Sequence, residues 1–172
     1  TSDGFDRDLA ITPDGSRIVY RGRNQLLVRG LDQLTPRAIT GLSGPRGLFV
    51  SPDGQWVGFF DGIDLKKVAI TGGSPVTVAS GTGVGSPRGA TWGEDGTIVF
   101  AGFIQSIGLQ RVSADGGDPT VLTTPNREAG EADHVWPEFL PGGQAVLFTI
   151  APVTGGLDTS QVAVLDLASG TQ

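Results

Sequence analysis

Short apolar segments separated by polar turns recur along the whole chain. Residues 46–51 are mostly apolar, Pro52, Asp53 and Gly54 follow, and residues 55–60 are rich in aromatic and branched side chains. Segments of this length and composition are typical of β-strands, and Pro-Asp-Gly suits a tight turn between two of them. The pattern therefore predicts strand–turn–strand hairpins rather than helices.

This hairpin occurs four times. Its turns are centred on Asp14, Asp53, Asp95 and Gly142, which are 39, 42 and 47 positions apart. A period of this size, with a strand on each side of the turn, is typical of propeller blades. Each unit continues with a third strand, a turn and a short fourth strand, except that the fourth unit lacks the last one. The sequence therefore predicts an all-β fold of about four β-propeller blades, each of four antiparallel strands, with fifteen strands in all.

The predicted blades divide one domain, residues 1–172, into segments 5–40, 46–79, 87–123 and 135–167. The composition supports this fold, because 28 Gly and 11 Pro supply turns while 38% of the residues are hydrophobic and supply a core. The absence of Cys excludes disulfides and thiolate metal sites. A net charge of −6 argues against nucleic-acid binding, and no apolar run has the length of a membrane span. We expect no metal, no cofactor and no membrane insertion.

The repeated unit resembles the TolB-type propeller repeat, a relative of the tryptophan–aspartate repeat. The matching features are the Ser-Pro-Asp-Gly turn at 51–54, the apolar strand after it, and the Gly72-Gly73 turn before a short last strand. The resemblance covers nearly the whole chain. It implies a bacterial protein and favours a periplasmic or other extracytoplasmic location, since such repeats occur in TolB-like proteins, membrane kinases and prolyl peptidases. It indicates architecture more than partner, because function belongs to sites rather than to folds.

The number of units raises the question of how the ring closes. Propellers have typically four to eight blades, and relatives of this repeat have six to eight. An open half-ring exposes ~500 Å² of apolar surface on each terminal blade, which is the size of a partner-binding patch. The favoured hypothesis is self-association, in which two copies form a homodimer that completes an eight-bladed ring. The alternatives are a fragment of a longer propeller and a closed four-bladed ring.

One position of the repeat carries arginine in three units. Arg7, Arg46 and Arg88 each stand seven residues before the turn residue, where the fourth unit has Val135. This position starts the innermost strand of a blade, so the three guanidinium groups are predicted to converge at one mouth of the central channel. Such an array suits a carboxylate or phosphate ligand. The alternative is that each arginine pairs with loop carbonyls or with a neighbouring aspartate.

The fourth unit differs from the others at this mouth. It carries His134, which is the only histidine, and Trp136, so this site is a candidate for sensing pH or a ligand. The alternative is that His134 packs at a strand end. The preceding insertion, residues 124–133, carries three carboxylates but matches no calcium-loop template, so we expect a solvated loop. The predicted ligand-binding residues are Arg7, Arg46, Arg88, His134 and Trp136.

Catalysis has little support in the sequence. There is no Cys nucleophile, and His134 has no Ser or Asp partner in a known catalytic motif. We therefore predict a non-catalytic scaffold, not an enzyme, that binds a protein or peptide ligand at the channel mouth, and an acidic ligand is one candidate. The alternative is a hydrolase or sugar-processing propeller that uses the acidic groups near His134. Trp56 and Trp92 are expected to pack between blades.

Overall fold

Fifteen strands form four consecutive antiparallel sheets within the residues that the computed structural model describes, which are 9–22, 25–82, 87–102, 104 and 106–172. The first sheet contains β1 (Leu9–Ile11), β2 (Arg17–Arg21), β3 (Leu26–Gly30) and β4 (Arg37–Ile39). The second contains β5 (Arg46–Val50), β6 (Trp56–Asp61), β7 (Asp64–Ala69) and β8 (Val76–Ala79). The third contains β9 (Ala90–Trp92), β10 (Thr97–Ala101), β11 (Leu109–Ser113) and β12 (Thr120–Val121). The fourth contains β13 (Glu131–Phe139), β14 (Ala145–Pro152) and β15 (Gln161–Asp166), with a 3-10 turn at Leu157–Thr159.

The four sheets are arranged as successive blades around an axis. Within each sheet the strands are paired in chain order, so the first strand of each sheet lies at one edge. These first strands contact one another in sequence, β1 with β5, β5 with β9, and β9 with β13. The predicted radial arrangement is therefore confirmed, and we call β1, β5, β9 and β13 the inner strands.

Three apolar clusters fill the spaces between successive blades. Val19, Leu26 and Phe59 belong to the cluster between the first and second blades. Phe60 and Phe100 belong to the next cluster, where their rings meet edge to face at 6.1 Å, and Phe148 belongs to the last. Because alternate residues of a strand face opposite sides of its sheet, the middle blades contribute to two clusters each.

The turns between the first and second strands confirm the chemistry read from the repeat. In the first blade, the Asp14 carboxylate accepts hydrogen bonds from the Thr12 hydroxyl at 2.6 Å and from the Ser16 N–H at 3.0 Å. These hydrogen bonds lower the pKa of Asp14 to about 2. Gly15 has a φ of +70°, a conformation that glycine adopts without steric cost. The carboxylates of Asp53 and Asp95 likewise accept a backbone N–H two residues later, so these three turns are closed by their own polar residues.

The fourth blade is longer than its sequence pattern predicts. Its inner strand begins at Glu131 rather than at residue 135, and β14 extends to Pro152. Glu131 is opposite Pro152 and Asp133 is opposite Ala151, so part of the expected solvated loop is strand. The apolar residues after Phe148 sustain this pairing, because branched side chains favour extended backbone.

The outer faces of the two terminal blades expose apolar side chains. On β1, Leu9 and Ile11 are 52% and 54% exposed, while Ala10 between them packs on the first cluster. On β15, Val162 is 71% exposed and Val164 is 43% exposed, while Leu165 is buried in the last cluster. Among the described residues, no helix is long and apolar enough to cross a membrane.

Candidate functional site

The inner strands have two ends with different chemistry. At what we call the start end, β5, β9 and β13 begin, and here lie Arg46, Arg88, Asp133 and His134. At what we call the turn end, the same strands run into the hairpin turns that contain Pro52, Glu94 and Pro141. Both ends of the inner strands are therefore candidates for binding.

Arg88 forms an ion pair with Asp133 of the next blade. The Asp133 side chain is only 2% exposed, and one of its oxygens also accepts the N–H of His134 at 2.9 Å. Burial raises the pKa of Asp133 above its ordinary value, although the Arg88 guanidinium acts in the opposite direction. Arg88 therefore has an internal carboxylate partner, which is the alternative that the sequence left open for it.

His134 is fully buried and its ring is held on both sides. Its Nδ1 lies 2.7 Å from the Thr123 hydroxyl, and its Nε2 lies 3.1 Å from a Glu131 carboxylate oxygen. The Thr123 hydroxyl also accepts the Leu109 N–H at 3.0 Å, so it links the imidazole ring to β11. Both ring nitrogens therefore have a hydrogen-bond partner inside the protein. His134 thus lies near the start end without opening onto it.

The same Glu131 connects the insertion to this network. Its carboxylate accepts the Asn126 N–H at 2.6 Å, and its own N–H donates to the Asn126 carbonyl at 3.0 Å. The His134 ring also lies 4.9 Å from the ring of Phe148, centroid to centroid. The insertion is therefore fastened to the core of the fourth blade through one carboxylate and one imidazole.

Trp136 has an unusual backbone for a residue that is not glycine. Its φ is +52°, and it lies where the β13–β14 register shifts between Val135 and Glu138. Its N–H donates to the Arg88 carbonyl at 2.7 Å, which links the third blade to the fourth. A side chain at Gly89 would place its Cβ 2.9 Å from the Trp136 Cα. Glycine is therefore required at position 89 by the close approach of the next inner strand.

The structure thus brings Arg88, His134 and Trp136 together at the junction of the third and fourth blades. Arg46 begins β5, opposite Phe60 of β6, and is half-buried. Arg7 lies outside the described residues. Convergence of the three guanidinium groups on one ligand stays a prediction.

The turn end contains a concave depression that the sequence analysis missed. We call it the axial depression. It has a volume of about 680 Å³ and is lined by Leu9, Ala10, Ile11, Pro13, Phe49, Val50, Pro52, residues 90–94 and residues 138–143. All four inner strands or the turns after them contribute, and most of the side chains are apolar. Glu94 and Glu138 are its two carboxylates. Ordinary apolar residues scattered over four repeats carry no motif, so only their convergence in space reveals the depression.

The fold and its axis define the chain as a β-propeller. No protein-family model matches the sequence, and no curated protein matches it. Among solved structures, TolB proteins have a similar fold. A TolB protein of Agrobacterium tumefaciens has a TM-score of 0.74 and 19% identity, with 97% of this chain and 60% of that chain covered. TolB of Acinetobacter baumannii has a TM-score of 0.73 and 18% identity, with 96% and 42% covered.

Enzymes share this fold as well. An oligogalacturonate lyase in complex with manganese has a TM-score of 0.68 and 15% identity, with 99% of this chain and 53% of the lyase covered. At such identities the likeness concerns the fold. The chain spans between 42% and 60% of the lengths of these three proteins.

Proposed function

We propose that this propeller is a non-catalytic scaffold that binds an extended segment of another protein in the axial depression. The observation that carries the proposal is that all four inner strands contribute to one open, largely apolar concavity. Ligand sites in proteins are mostly concave and apolar, with a few polar groups that fix orientation. Glu94 and Glu138 supply such groups here.

The inner strands also suit a peptide ligand. Within its sheet, each inner strand pairs with one neighbour only, β5 with β6 for example. The backbone groups on its other edge face the axis, where an extended peptide can meet them. The apolar walls then select the side chains of the peptide. An extracytoplasmic location, which the repeat resemblance favours, belongs to the same proposal.

The geometry around His134 favours binding over catalysis. A general acid or base must come within hydrogen-bond reach of its substrate. The His134 ring is fully buried, and both of its nitrogens are already bonded to Thr123 and Glu131. The hydrolase or sugar-processing alternative would need this ring, or the acidic groups beside it, to open. A glycosidase or polyuronide-cleaving activity that is lost in Glu131→Gln would establish that alternative instead.

Selection of peptides tests the proposal. A phage library of linear peptides is panned against the immobilised protein, and the recovered peptides are measured by titration calorimetry. Pro141→Tyr fills the axial depression, whereas Pro119→Tyr changes a turn of the third blade that does not line it. We expect affinity to fall at least about tenfold in Pro141→Tyr only, since a blocked pocket loses its central contacts. Failure to recover peptides, or equal effects of the two variants, would refute the proposal.

An acidic ligand at the start end remains a separate prediction. It requires Arg46 and Arg88 to bind the same anion, although Arg88 is already paired with Asp133. Peptides recovered in the same selection are informative, because acidic sequences that lose affinity in Arg46→Ala would place binding at the start end.

We also propose that a second copy covers the terminal blades. The outer faces of the first and fourth blades both expose apolar side chains, with Ile11 on one and Val162 on the other. A two-fold pair brings the first blade of each copy against the fourth blade of the other, which closes a ring of eight blades. This burial on two faces is the driving force for association.

Light scattering after size exclusion tests this pairing. We expect a dimer at micromolar concentration, and a monomer for Val162→Glu, because a buried unpaired charge opposes the contact. Val121→Glu is the matched control, since Val121 is exposed on the third blade. A wild-type monomer at tens of micromolar would exclude self-association. The apolar faces of the first and fourth blades would then have to be covered by additional blades.

A further inference from the structure

A second concavity at the turn end holds a lysine between two tryptophans. It is a cleft of about 540 Å³ between the second and third blades, lined by Trp56 of β6, Lys67 of β7 and Trp92 at the end of β9. The Lys67 Nζ lies 4.9 Å from the centroid of the Trp56 ring and 6.0 Å from that of Trp92. Both distances are within the range of cation–π attraction. The cleft is therefore shaped to hold a cation against aromatic walls.

The tryptophans have the expected structural role as well. The Trp92 ring lies 6.1 Å from the Phe49 ring, and Trp92 packs on the cluster between the second and third blades. Both tryptophans nevertheless keep part of their surface exposed. Their position at the rim of a blade junction thus leaves aromatic surface available to a ligand.

The cleft carries an excess of negative charge. Four carboxylates line it, from Asp53, Glu94, Asp95 and Asp115, whereas Lys67 is the single cation among its lining residues. Hydrogen bonds from the Ser51 hydroxyl and the Gln55 N–H lower the pKa of Asp53, so this carboxylate is charged at neutral pH. A cleft with one sign of charge attracts ligands of the opposite sign. A neutral or anionic ligand gains nothing from this field.

The Lys67 side chain is mostly buried in the cleft, with 13% of its surface exposed, and its ion pair is with an exposed carboxylate. Its Nζ lies 3.7 Å from an Asp115 oxygen, and the Asp115 side chain is 98% exposed. A pair with a fully solvated carboxylate contributes little to stability, and the lysine stem is long enough to turn its ammonium group toward solvent. A guanidinium group is less strongly hydrated than an ammonium group, stacks on aromatic rings and forms forked bonds with carboxylates. An arginine side chain is therefore better suited to this cleft than Lys67 is.

We propose that the cleft receives the guanidinium group of an arginine in the bound protein segment, which replaces the Lys67 ammonium between Trp56 and Trp92. This inference rests on the proposed function, since the cleft shares Trp92, Gly93 and Glu94 with the axial depression. One peptide can therefore lie along the depression and extend an arginine into the cleft. In the free protein, Lys67 occupies the position that the arginine takes.

Titration of the labelled protein with N-acetyl-arginine amide tests the inference directly. The indole N–H signals of Trp56 and Trp92 are followed by NMR, with Trp136 as an internal reference. We expect saturable shifts at Trp56 and Trp92, and binding at least about fivefold weaker for N-acetyl-citrulline amide, which has the same shape without the charge. Equal binding of the two probes, or shifts confined to Trp136, would overturn the inference.

The Lys67→Met variant gives an effect of opposite sign for the competing explanations. If Lys67 holds the place of the arginine, its removal tightens binding of the arginine probe by about threefold or more, because no resident cation has to leave. If Lys67 instead contacts the ligand, as it would with an anion or a sugar, the variant weakens binding. If the wild-type protein binds cellotriose as tightly as the arginine probe, or more tightly, the inference is likewise overturned.

Two exposed variants keep the test independent of folding. Glu94→Gln removes one carboxylate of the cleft and is expected to weaken the arginine probe, whereas Asp118→Asn removes a nearby charge that does not line the cleft. Equal effects of these two would show non-specific attraction and overturn the inference.

The selected peptides separate this inference from the proposed function. Peptides that bind the axial depression but contain no arginine, and are insensitive to Lys67→Met, would overturn the inference while the proposed function stands. If the arginine probe binds saturably but no peptide is recovered, the cleft binds a guanidinium group and the proposed function is refuted.

Discussion

The two ends of the inner strands use the same repeat in different ways. At the start end, charged and polar groups are satisfied inside the protein, Asp133 by Arg88 and His134 by Thr123 and Glu131. At the turn end, Glu94 and Asp115 are exposed and line open concavities. The start end between the third and fourth blades therefore contributes to stability, while the turn end leaves its chemistry accessible.

This difference shows how a repeat becomes specialised. The hairpin turns at Asp14, Asp53 and Asp95 are each closed by a hydrogen bond from a backbone N–H two residues later. The start end differs between blades, since Pro87 of the third blade approaches Gly47, whereas Trp136 of the fourth approaches Gly89. Polar networks with all members satisfied rigidify the structure around them. We therefore expect substitutions at the start end to change folding and those at the turn end to change binding.

The largest effect is expected for His134→Ala. This change removes a buried ring that contacts Phe148 and takes one hydrogen-bond partner from each of Thr123 and Glu131. A loss of about 3 kcal/mol in the free energy of unfolding follows from the cavity and from the two lost hydrogen bonds. Urea unfolding measures it. Glu94→Ala at the turn end is the control and should stay within about 0.5 kcal/mol of wild type. Similar losses in the two variants would show that the two ends contribute equally to stability.

Arg88→Met comes next and its effect depends on pH. Burial raises the pKa of Asp133, and Arg88 is the strongest of the groups that lower it, so the pKa of Asp133 rises further in the folded Arg88→Met variant. A raised pKa of an acid means that stability is present at low pH and is lost as pH rises through the folded-state pKa. We expect a deficit of about 2 kcal/mol at pH 7.5, smaller at pH 4.5, from the buried unpaired carboxylate.

Urea unfolding at the two pH values measures this deficit. Arg111→Met is the matched control, because Arg111 is exposed on β11 and should show little dependence on pH. A deficit for Arg88→Met that grows as pH falls would contradict the role assigned to Asp133.

Gly89→Ala tests the close approach of the third and fourth blades. Gly89 has a φ of +97°, and a Cβ there would lie 2.9 Å from the Trp136 Cα. Gly96 at the turn end has a φ of +80° with no atom near the position of a Cβ. Gly96→Ala is therefore destabilised only by the unfavourable backbone conformation. We expect a loss of about 2 kcal/mol for Gly89→Ala and about 1 kcal/mol for Gly96→Ala by thermal unfolding. Equal losses would mean that the blades can move apart.

Asp14→Asn is expected to have the smallest effect. Hydrogen bonds from Thr12 and Ser16 lower the pKa of Asp14 to about 2, so the ionised carboxylate stabilises the folded turn. Since a lowered pKa gives stability that is lost as pH falls, the difference from wild type should shrink between pH 4 and pH 2. Thermal unfolding across this range measures it, with Asp118→Asn as the control. A difference that persists below pH 2 would rule out this carboxylate as the cause.

The architecture could be predicted from the sequence, whereas the axial depression could not. The turns, the fifteen strands and the radial order follow from local patterns, and Arg88 and Trp136 were marked by their place in the repeat. The partner of Arg88 could not be predicted, because Asp133 belongs to an insertion whose extension of β13 depends on pairing with Ala151. Lys67 was missed, since nothing local distinguishes it from the neighbouring Lys66.

By itself, the sequence determined the blade, because turn propensity and alternation of apolar residues act over a few positions and need no distant partner. Only the tertiary structure decided which charges are buried in pairs and which remain exposed. That outcome depends on the distance between side chains of different blades, such as Arg88 and Asp133 or Lys67 and Trp92, and a linear pattern does not contain such distances.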